Sequence, residues 1–289
     1  MTVKKYVSSL CILLSGACWG LTGLFNRCLL SGGLVPRDVV LIRNLGGLLL
    51  MGLALLCFDR KALKVDWRHL PWFFGTGVVS VLLFTLLYFS CQQQCSLAVA
   101  AILLYTAPTF VVVTSAVLWK EPITRRKLAA LAAAFLGCSF VSGIWSGGAS
   151  VTLPGFLLGL GSGFFYAMYS IFGRYALARC QPMTVTFYTF VFAGLGSLFL
   201  ANPVRVASAL AGDGRLAWMA LGLVAVATVL PYLLYTRGLV HVESGKAAIM
   251  ASMEPVVAAL AGILAFGEPM SLGVLLGLGC ILVSIYILR

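Results

Sequence analysis

Charged residues are scarce in this chain of 289 residues, since Asp, Glu, Lys and Arg together make up 10% of it. Hydrophobic residues make up 61%, well above the roughly 45–50% of soluble globular domains. Long polar segments are also missing, because the widest polar interruptions, residues 59–69 and 202–215, hold only about a dozen residues each. These shortages exclude a water-soluble protein and a large catalytic or binding domain outside the membrane.

Residue types that carry enzyme chemistry are few and scattered. Both histidines, His69 and His241, fall in joints between apolar segments, and the nine cysteines form no C-x-x-C pair. The sequence has no glycine-rich phosphate loop and no recognisable nucleophile–base pair. We therefore expect no enzyme activity, no bound metal and no cofactor.

What fills the chain is a series of about ten apolar runs, each close to the roughly 20 residues that a helix needs to cross a hydrocarbon core of about 30 Å. We predict an all-α multi-pass membrane protein with ten transmembrane helices. The predicted spans are 6–30, 37–58, 71–92, 97–118, 127–146, 153–177, 183–201, 215–237, 245–265 and 271–288.

The formal net charge of +12 is interpreted first as an orientation signal, because cytoplasmic loops of membrane proteins are enriched in Lys and Arg. With the N-terminus inside, the outer joints hold only Arg27, Arg37, Arg205 and Arg215, and the other positive residues outside the spans are cytoplasmic. We expect a protein of the plasma or inner membrane with both termini cytoplasmic. The charge therefore does not indicate a nucleic acid partner.

The chain repeats itself at an offset of 147 residues. The aligned pairs are Phe25-x-Arg27 with Phe172-x-Arg174, Tyr88 with Tyr235, 100–102 with 247–249, Pro108 with Pro255, and Glu121-Pro122 with Glu268-Pro269. Each half holds five predicted helices, and an odd number makes the second half enter the membrane from the opposite side. We predict two inverted repeats, 1–146 and 147–289, in one transmembrane domain, an architecture typical of secondary transporters.

Glu254 is the principal candidate for a binding residue. It lies about nine residues into the ninth span, where an ionisable group is costly and is expected to face the bundle interior or a water-filled cavity. Its repeat equivalent is Ala107, so the carboxylate breaks the symmetry. A protonated glutamic acid bonded to a neighbouring helix is the structural alternative.

Arg43 is the only basic residue well inside a predicted span. Three roles are open for it: binding an anionic group, pairing with Glu254, or extending its side chain to the outer interface.

Aromatic residues occur near several predicted helix centres, and Trp19 with its repeat partner Tyr166 is the most suggestive pair. Such rings can stack on a flat solute or hold a cation, although each is also an ordinary packing residue. Pro108 and Pro255 remove backbone donors and can bend or gate their helices. The predicted substrate-binding set is Trp19, Arg43, Tyr88, Tyr105, Tyr166, Tyr235 and Glu254.

Several motifs along the chain match those of one known family: Trp19-Gly20, Arg43, Pro108, Glu121, the segment 165–169, Glu254-Pro255 and Gly267-Glu268. In these motifs the sequence resembles the EamA-type branch of the drug/metabolite transporter superfamily, over essentially its full length. The resemblance implies ten helices in two inverted repeats. It also implies a central cavity formed by helices one to four and six to nine, with helices five and ten at the periphery.

These observations favour a secondary transporter or facilitator of a small polar metabolite, with an amino acid or related compound leaving the cell as the leading hypothesis. A coupling proton is a second candidate ligand of Glu254. The alternative substrate is a quaternary or other organic cation held by the aromatic residues and Glu254. The expected partners are the lipid bilayer and the small-molecule substrate, and no nucleic acid. A monomer is favoured because one chain can hold a complete cavity, and a dimer through the last helix is the alternative.

Overall fold

The computed structural model describes residues 3–95, 97–142, 144, 152–267 and 270–288. Within these ranges the chain is helical, as predicted. The helices are α1 Val3–Gly20, α2 Thr22–Ser31, α3 Pro36–Phe58, α4 Leu70–Phe74, α5 Leu83–Gln92, α6 Leu97–Leu104, α7 Ala107–Trp119, α8 Arg125–Val141, α9 Leu153–Leu177, α10 Pro182–Ser197, α11 Pro203–Gly212, α12 Gly214–Val224, α13 Leu230–Leu239, α14 Ser244–Met250, α15 Met253–Phe266 and α16 Leu272–Ile287.

Several predicted spans consist of two or more consecutive helices. Seven helical stretches in the described part of the chain are long and apolar enough to cross a membrane: Lys4–Ser31, Pro36–Phe58, Trp67–Cys91, Val99–Trp119, Leu153–Leu177, Gly214–Leu239 and Ser244–Phe266. A shorter apolar helix is α16. The remaining two predicted spans coincide with α8 and α10, which have 17 and 16 residues. The count of ten spans stays a prediction.

The interruptions inside the spans recur in both halves, within a few residues of the repeat offset. The chain leaves the α-helix at residues 105–106, between α6 and α7, and again at 251–252, between α14 and α15. Wider π-helical turns occur at Gly75–Leu82 and at Ala225–Val229. Because Pro108 and Pro255 lack an N–H, the first turns of α7 and α15 cannot continue the preceding helix without losing a bond.

Close helix contacts also recur at the same offset. A Cβ atom on Gly16 would lie 2.7 Å from the carbonyl oxygen of Ala251, and one on Gly163 would lie 3.2 Å from that of Leu104. Both distances are shorter than an ordinary side-chain contact, so in each half a helix closely approaches the break of a discontinuous span. Gly16 and Gly163 allow this close approach because glycine has no Cβ atom.

The two ends of the bundle can be told apart by their ion pairs. Glu121 pairs with Arg174 near the end of α9. The next helix, α10, begins beside the end of α3, where the Thr184 hydroxyl donates to the carbonyl oxygen of Ala62 at 3.0 Å. Asp38, in the first turn of α3, therefore lies at the opposite end. We call these the Glu121 end and the Asp38 end.

Cation–π contacts show the inversion directly. The guanidinium of Arg174 lies 4.3 Å from the ring centre of Trp119, and that of Arg27 lies 4.2 Å from the ring centre of Phe266. These are equivalent residues of the two halves. The first contact is at the Glu121 end and the second is at the Asp38 end, because α2 leads directly into α3. Equivalent contacts at opposite ends are what inverted repeats require.

Helices α8 and α16 pack on each other at the periphery. A Cβ on Gly277 would lie 2.7 Å from the carbonyl oxygen of Gly137. The glycine pair 273/277 is thus used within the chain, as are Gly16 and Gly20 against α14 and α15.

The structure differs from the prediction between the seventh and eighth spans. Residues 202–215, interpreted as a polar joint, contain the ten-residue helix α11, capped at its start by the Asn202 side chain, which accepts from the N–H groups of Val204 and Arg205. The preceding helix ends at Ser197 instead of residue 201. The hydropathy pattern missed α11 because its ten residues are too few to register as a span. The end of the fifth predicted span, residues 145–146, and the pair 268–269 lie outside the described residues.

Candidate functional site

A cavity of about 180 Å³ lies in the middle of the bundle, toward the Asp38 end. It is bounded by helices from both repeats. Neither α8 nor α16 contributes a lining residue, in agreement with the expectation that helices five and ten are peripheral. The lining also holds no residue of α10, the seventh predicted span, which was expected to contribute. Its lining residues are Trp19, Thr22, Asn26, Arg43, Phe84, Thr85, Tyr88, Phe89, Ala101, Leu104, Tyr105, Tyr166, Tyr232 and Glu254.

A second, much smaller pocket of about 30 Å³ adjoins the cavity on the side of the Glu121 end. It has room for about one water molecule. Tyr105, Tyr166 and Glu254 border both spaces. Tyr235 and Pro108 border only the smaller pocket, whereas Pro255 is buried in α15 and borders neither. The cavity therefore narrows sharply just past Glu254.

Glu254 lies in the first turn of α15, directly after the break in the ninth predicted span. This places a carboxylate at the centre of the membrane-spanning stretch 244–266, beside amide groups that the break leaves outside the regular helix ladder. The first turn of a helix is also where its dipole favours a negative charge. The local structure thus supports a carboxylate at this depth.

Arg43 lines the same cavity as Glu254 but is not paired with it. In the described part of the chain, no ion pair joins either side chain to another residue. The Nε atom of Arg43 is buried and has no hydrogen-bond partner among the described residues. Of the three roles open for Arg43, its position in the cavity matches the binding of an anionic group.

The aromatic residues form a packed cluster at one wall of the cavity. The ring centre of Trp19 lies 5.3 Å from that of Tyr232, 5.4 Å from that of Tyr235 and 6.5 Å from that of Tyr166. The hydroxyl groups of Tyr235 and Ser170 are 2.8 Å apart. Because these rings contact one another and Trp19 is only 7% exposed, they form a rigid wall more than an open cage.

Several polar lining residues escaped the sequence analysis. Thr22 and Asn26 follow Trp19 at spacings of three and seven residues, which places all three on one face of a helix, and Thr85 and Tyr88 share a face of α5 in the same way. The Oδ1 atom of Asn26 is buried without a hydrogen-bond partner among the described residues. The spacings of three and seven residues from Trp19 were the signal that could have identified Thr22 and Asn26.

A network of four charged residues closes the Glu121 end. Lys127 is 3% exposed, and its Nζ atom lies 3.5 Å from Glu121 Oε2 and 2.7 Å from Glu243 Oε2. Glu121, which is 7% exposed, also pairs with Arg174. The network joins the ends of α7 and α9 to the start of α8 and to the residue preceding α14. Lys127, the first residue of the fifth predicted span, is thus buried in ion pairs.

Glu243 is the network member nearest to solvent, with 40% of its side chain exposed. Burial alone would raise its pKa, but the contact with Lys127, together with Lys246 and Lys5, holds the pKa below the ordinary value. Glu243 is therefore a carboxylate at neutral pH.

Fold and site together define a multi-pass membrane carrier, with one central cavity between two inverted repeats whose helices are interrupted at the cavity. The EamA-like transporter family model matches residues 7–143 and again residues 153–289. The chain belongs to the EamA-like transporter family, and each half is one copy of its unit.

The curated relatives are transporters. An uncharacterized transporter of Archaeoglobus fulgidus is 30% identical over 228 residues, which cover 78% of this chain and 79% of the relative. A second transporter of the same organism is 33% identical over 201 residues, which cover 69% and 70% of the two chains. The threonine/homoserine exporter RhtA of Escherichia coli strain K12 is 29% identical over 203 residues, covering 68% of this chain and 64% of the exporter.

A crystal structure with 18% sequence identity superposes with a TM-score of 0.80 over 97% of this chain and 95% of the other. This likeness concerns the fold alone.

Proposed function

We propose that this chain is a secondary transporter that exports a small amino acid or related zwitterion across the cell membrane by alternating access. The observation that carries the proposal is the pair of opposite charges, Arg43 and Glu254, which line one cavity without being paired. Unpaired charges at this depth are costly. A zwitterion whose carboxylate binds Arg43 and whose ammonium group binds Glu254 would compensate both.

The size of the cavity supports a small solute. Pockets for drug-sized ligands enclose about 300–1,000 Å³, and the cavity here encloses about 180 Å³. Its polar lining atoms on Asn26 and Thr22 can hydrogen-bond a polar side chain. The similarity to a threonine/homoserine exporter agrees with this class of substrate and with outward transport.

The organic cation alternative receives less support. Arg43 places a positive charge in the same cavity, and the aromatic rings that would form the cage are packed against one another. A cation would have to enter against that charge with only Glu254 to compensate it.

Alternating access is supported by the way the two ends differ. The cavity lies toward the Asp38 end, and beyond Glu254 the path narrows to the small pocket and then reaches the charged network. Breaking the network would open the Glu121 end, which we assign to the cytoplasm from the excess of Lys and Arg there. The transporter would then present Glu254 to either side in turn.

The test is solute counterflow in liposomes that contain the purified protein, with threonine, homoserine, alanine and choline as trial substrates. Saturable counterflow of at least one small amino acid is expected. Arg43→Gln and Glu254→Gln should each weaken apparent affinity by about 10- to 150-fold, since a hydrogen bond to a charged group contributes about 1.5–3 kcal/mol. Arg215→Gln, an exposed arginine outside the cavity, is the matched control.

Choline counterflow without any amino-acid response would refute the proposal in favour of the cation alternative. Full transport by both variants would remove the two charges from substrate binding. If Glu254→Gln keeps counterflow but loses the response to an imposed pH gradient, Glu254 binds a coupling proton and not the ammonium group.

A further inference from the structure

A second site lies on the outside of the bundle, away from the cavity. Between α3, α11 and α12 runs a groove of about 480 Å³ in which every lining residue is apolar. At the Asp38 end, a pocket of about 410 Å³ lies at the start of the same two helices, α3 and α11. Four of its lining residues are apolar, and the other four are Arg37, Asp38, Asn202 and Arg205. An apolar groove thus ends beside a pocket that holds two arginines.

The length of the groove matches one leaflet of a bilayer. On α3 its lining extends from Leu41 to Leu53, which is about 18 Å at a rise of about 1.5 Å per residue. Half of a hydrocarbon core of about 30 Å is about 15 Å. The groove is therefore long enough to hold one acyl chain from the interface to the middle of the membrane.

The pocket at the end of the groove favours an anion. Arg37 and Arg205 contribute two positive charges against one carboxylate, that of Asp38, which is fully buried and already paired with Arg205. The positive N-terminal ends of α3 and α11 lie at the same place. Arg37 is exposed and forms no ion pair within the described residues, so its guanidinium is available to a ligand.

We infer that this surface binds one anionic phospholipid, with an acyl chain in the groove and the phosphate on Arg37 and Arg205. The order of chemical groups along the surface, basic at the membrane edge and apolar for about one leaflet beyond it, is that of a phospholipid. The groove is lined by α12, which continues through a π-helical turn into α13 and so toward Tyr232 at the cavity. The lipid would therefore stabilise a helix that also lines the transport site.

The inference is tested on the full chain by thermal unfolding in mixed micelles that contain dioleoyl phosphatidylglycerol, dioleoyl phosphatidylcholine or neither. The anionic lipid should raise the unfolding temperature at lower concentration than the zwitterionic lipid does. Arg37→Gln should increase its half-saturating concentration by about tenfold. Ala207→Phe, which fills the groove, should weaken the stabilisation of the protein by both lipids.

Two matched variants serve as controls. Arg215→Gln removes an exposed arginine at the same end of the bundle, and Ala211→Phe enlarges an exposed alanine of α11 that does not line the groove; both should retain the lipid response. Inorganic phosphate at the same concentrations should have no effect.

Equal protection by the two lipids, or an unchanged response in Arg37→Gln, would overturn the assignment of the headgroup. Protection by inorganic phosphate alone would overturn the role of the groove. None of these readouts depends on transport, so the outcome is separate from that of the counterflow test.

Discussion

The buried network at the Glu121 end leads to a quantitative prediction for Lys127→Met. Removing one partner of a fully buried ion pair costs about 3–5 kcal/mol when the other charge is left without compensation. Here the loss is smaller, because Glu121 keeps its contact with Arg174 and Glu243 is 40% exposed and can be hydrated. We expect a cost of about 2 kcal/mol, mostly from the contact with Glu121.

If the network exists only while this end is closed, about 2 kcal/mol increases the population of the open form about 30-fold. Hydrogen–deuterium exchange measures this directly, since in the regime of fast closing the exchange rate of a protected amide is proportional to the opening constant. Exchange should accelerate about 30-fold in α7 and α14, which meet at the Glu121 end, and should stay unchanged in the first turns of α3 at the Asp38 end.

The matched control is Arg126→Met, because Arg126 is exposed on the same helix and forms no ion pair within the described residues. It should leave exchange unchanged at both ends. Equal acceleration throughout the bundle in Lys127→Met would mean that the network stabilises the fold as a whole, and no acceleration would mean that it does not hold this end closed. Either result would refute the reasoning.

Two further perturbations follow from the same contacts. Gly16→Ala should lower the unfolding temperature and abolish counterflow, because its Cβ would lie 2.7 Å from the carbonyl oxygen of Ala251 and overpacking costs about 1–3 kcal/mol. The control Gly279→Ala should change neither, since its Cβ would meet no atom within 4 Å. The pKa of Glu243 is lower in the folded state than its ordinary value near 4.5 in the unfolded chain. This difference stabilises the folded state at pH values above 4.5, and the stabilisation is lost as the pH falls through the lower, folded-state pKa. After division by the intrinsic amide rate, which itself falls in acid, the opening constant at the Glu121 end should therefore rise as the pH falls in the native protein and should already be raised at neutral pH in Glu243→Gln; an identical acid response in both would contradict the role of Glu243.

Much of the scaffold could be predicted because it depends on long-range regularity. The offset of 147 residues pairs Pro108 with Pro255 and Arg27 with Arg174. The structure places the prolines in the first turns of α7 and α15 and the arginines in equivalent cation–π contacts. Glu254 could be singled out because an ionisable residue at that depth is costly wherever it points. Such features can be recognised from the amino-acid sequence alone.

Other features depend on which neighbour a side chain meets. Lys127 is the first residue of a predicted span, and only the approach of Glu121 and Glu243 from other helices buries it. Asn26 is one polar residue among many, and its importance comes from lining the same cavity as Arg43.

Glu254 and Ala107 occupy equivalent positions in the two repeats, and this difference has a consequence for the stoichiometry of the proposed transport. The two halves can exchange conformations because their backbones are equivalent, yet the carboxylate exists in only one of them. A duplicated site would offer two carboxylates and could carry two solutes or hold one too tightly to release it. Under the proposed function, a single carboxylate would limit each full cycle to one zwitterion. The zwitterion brings no net charge, so its movement would be insensitive to the membrane potential unless another ion moves with it.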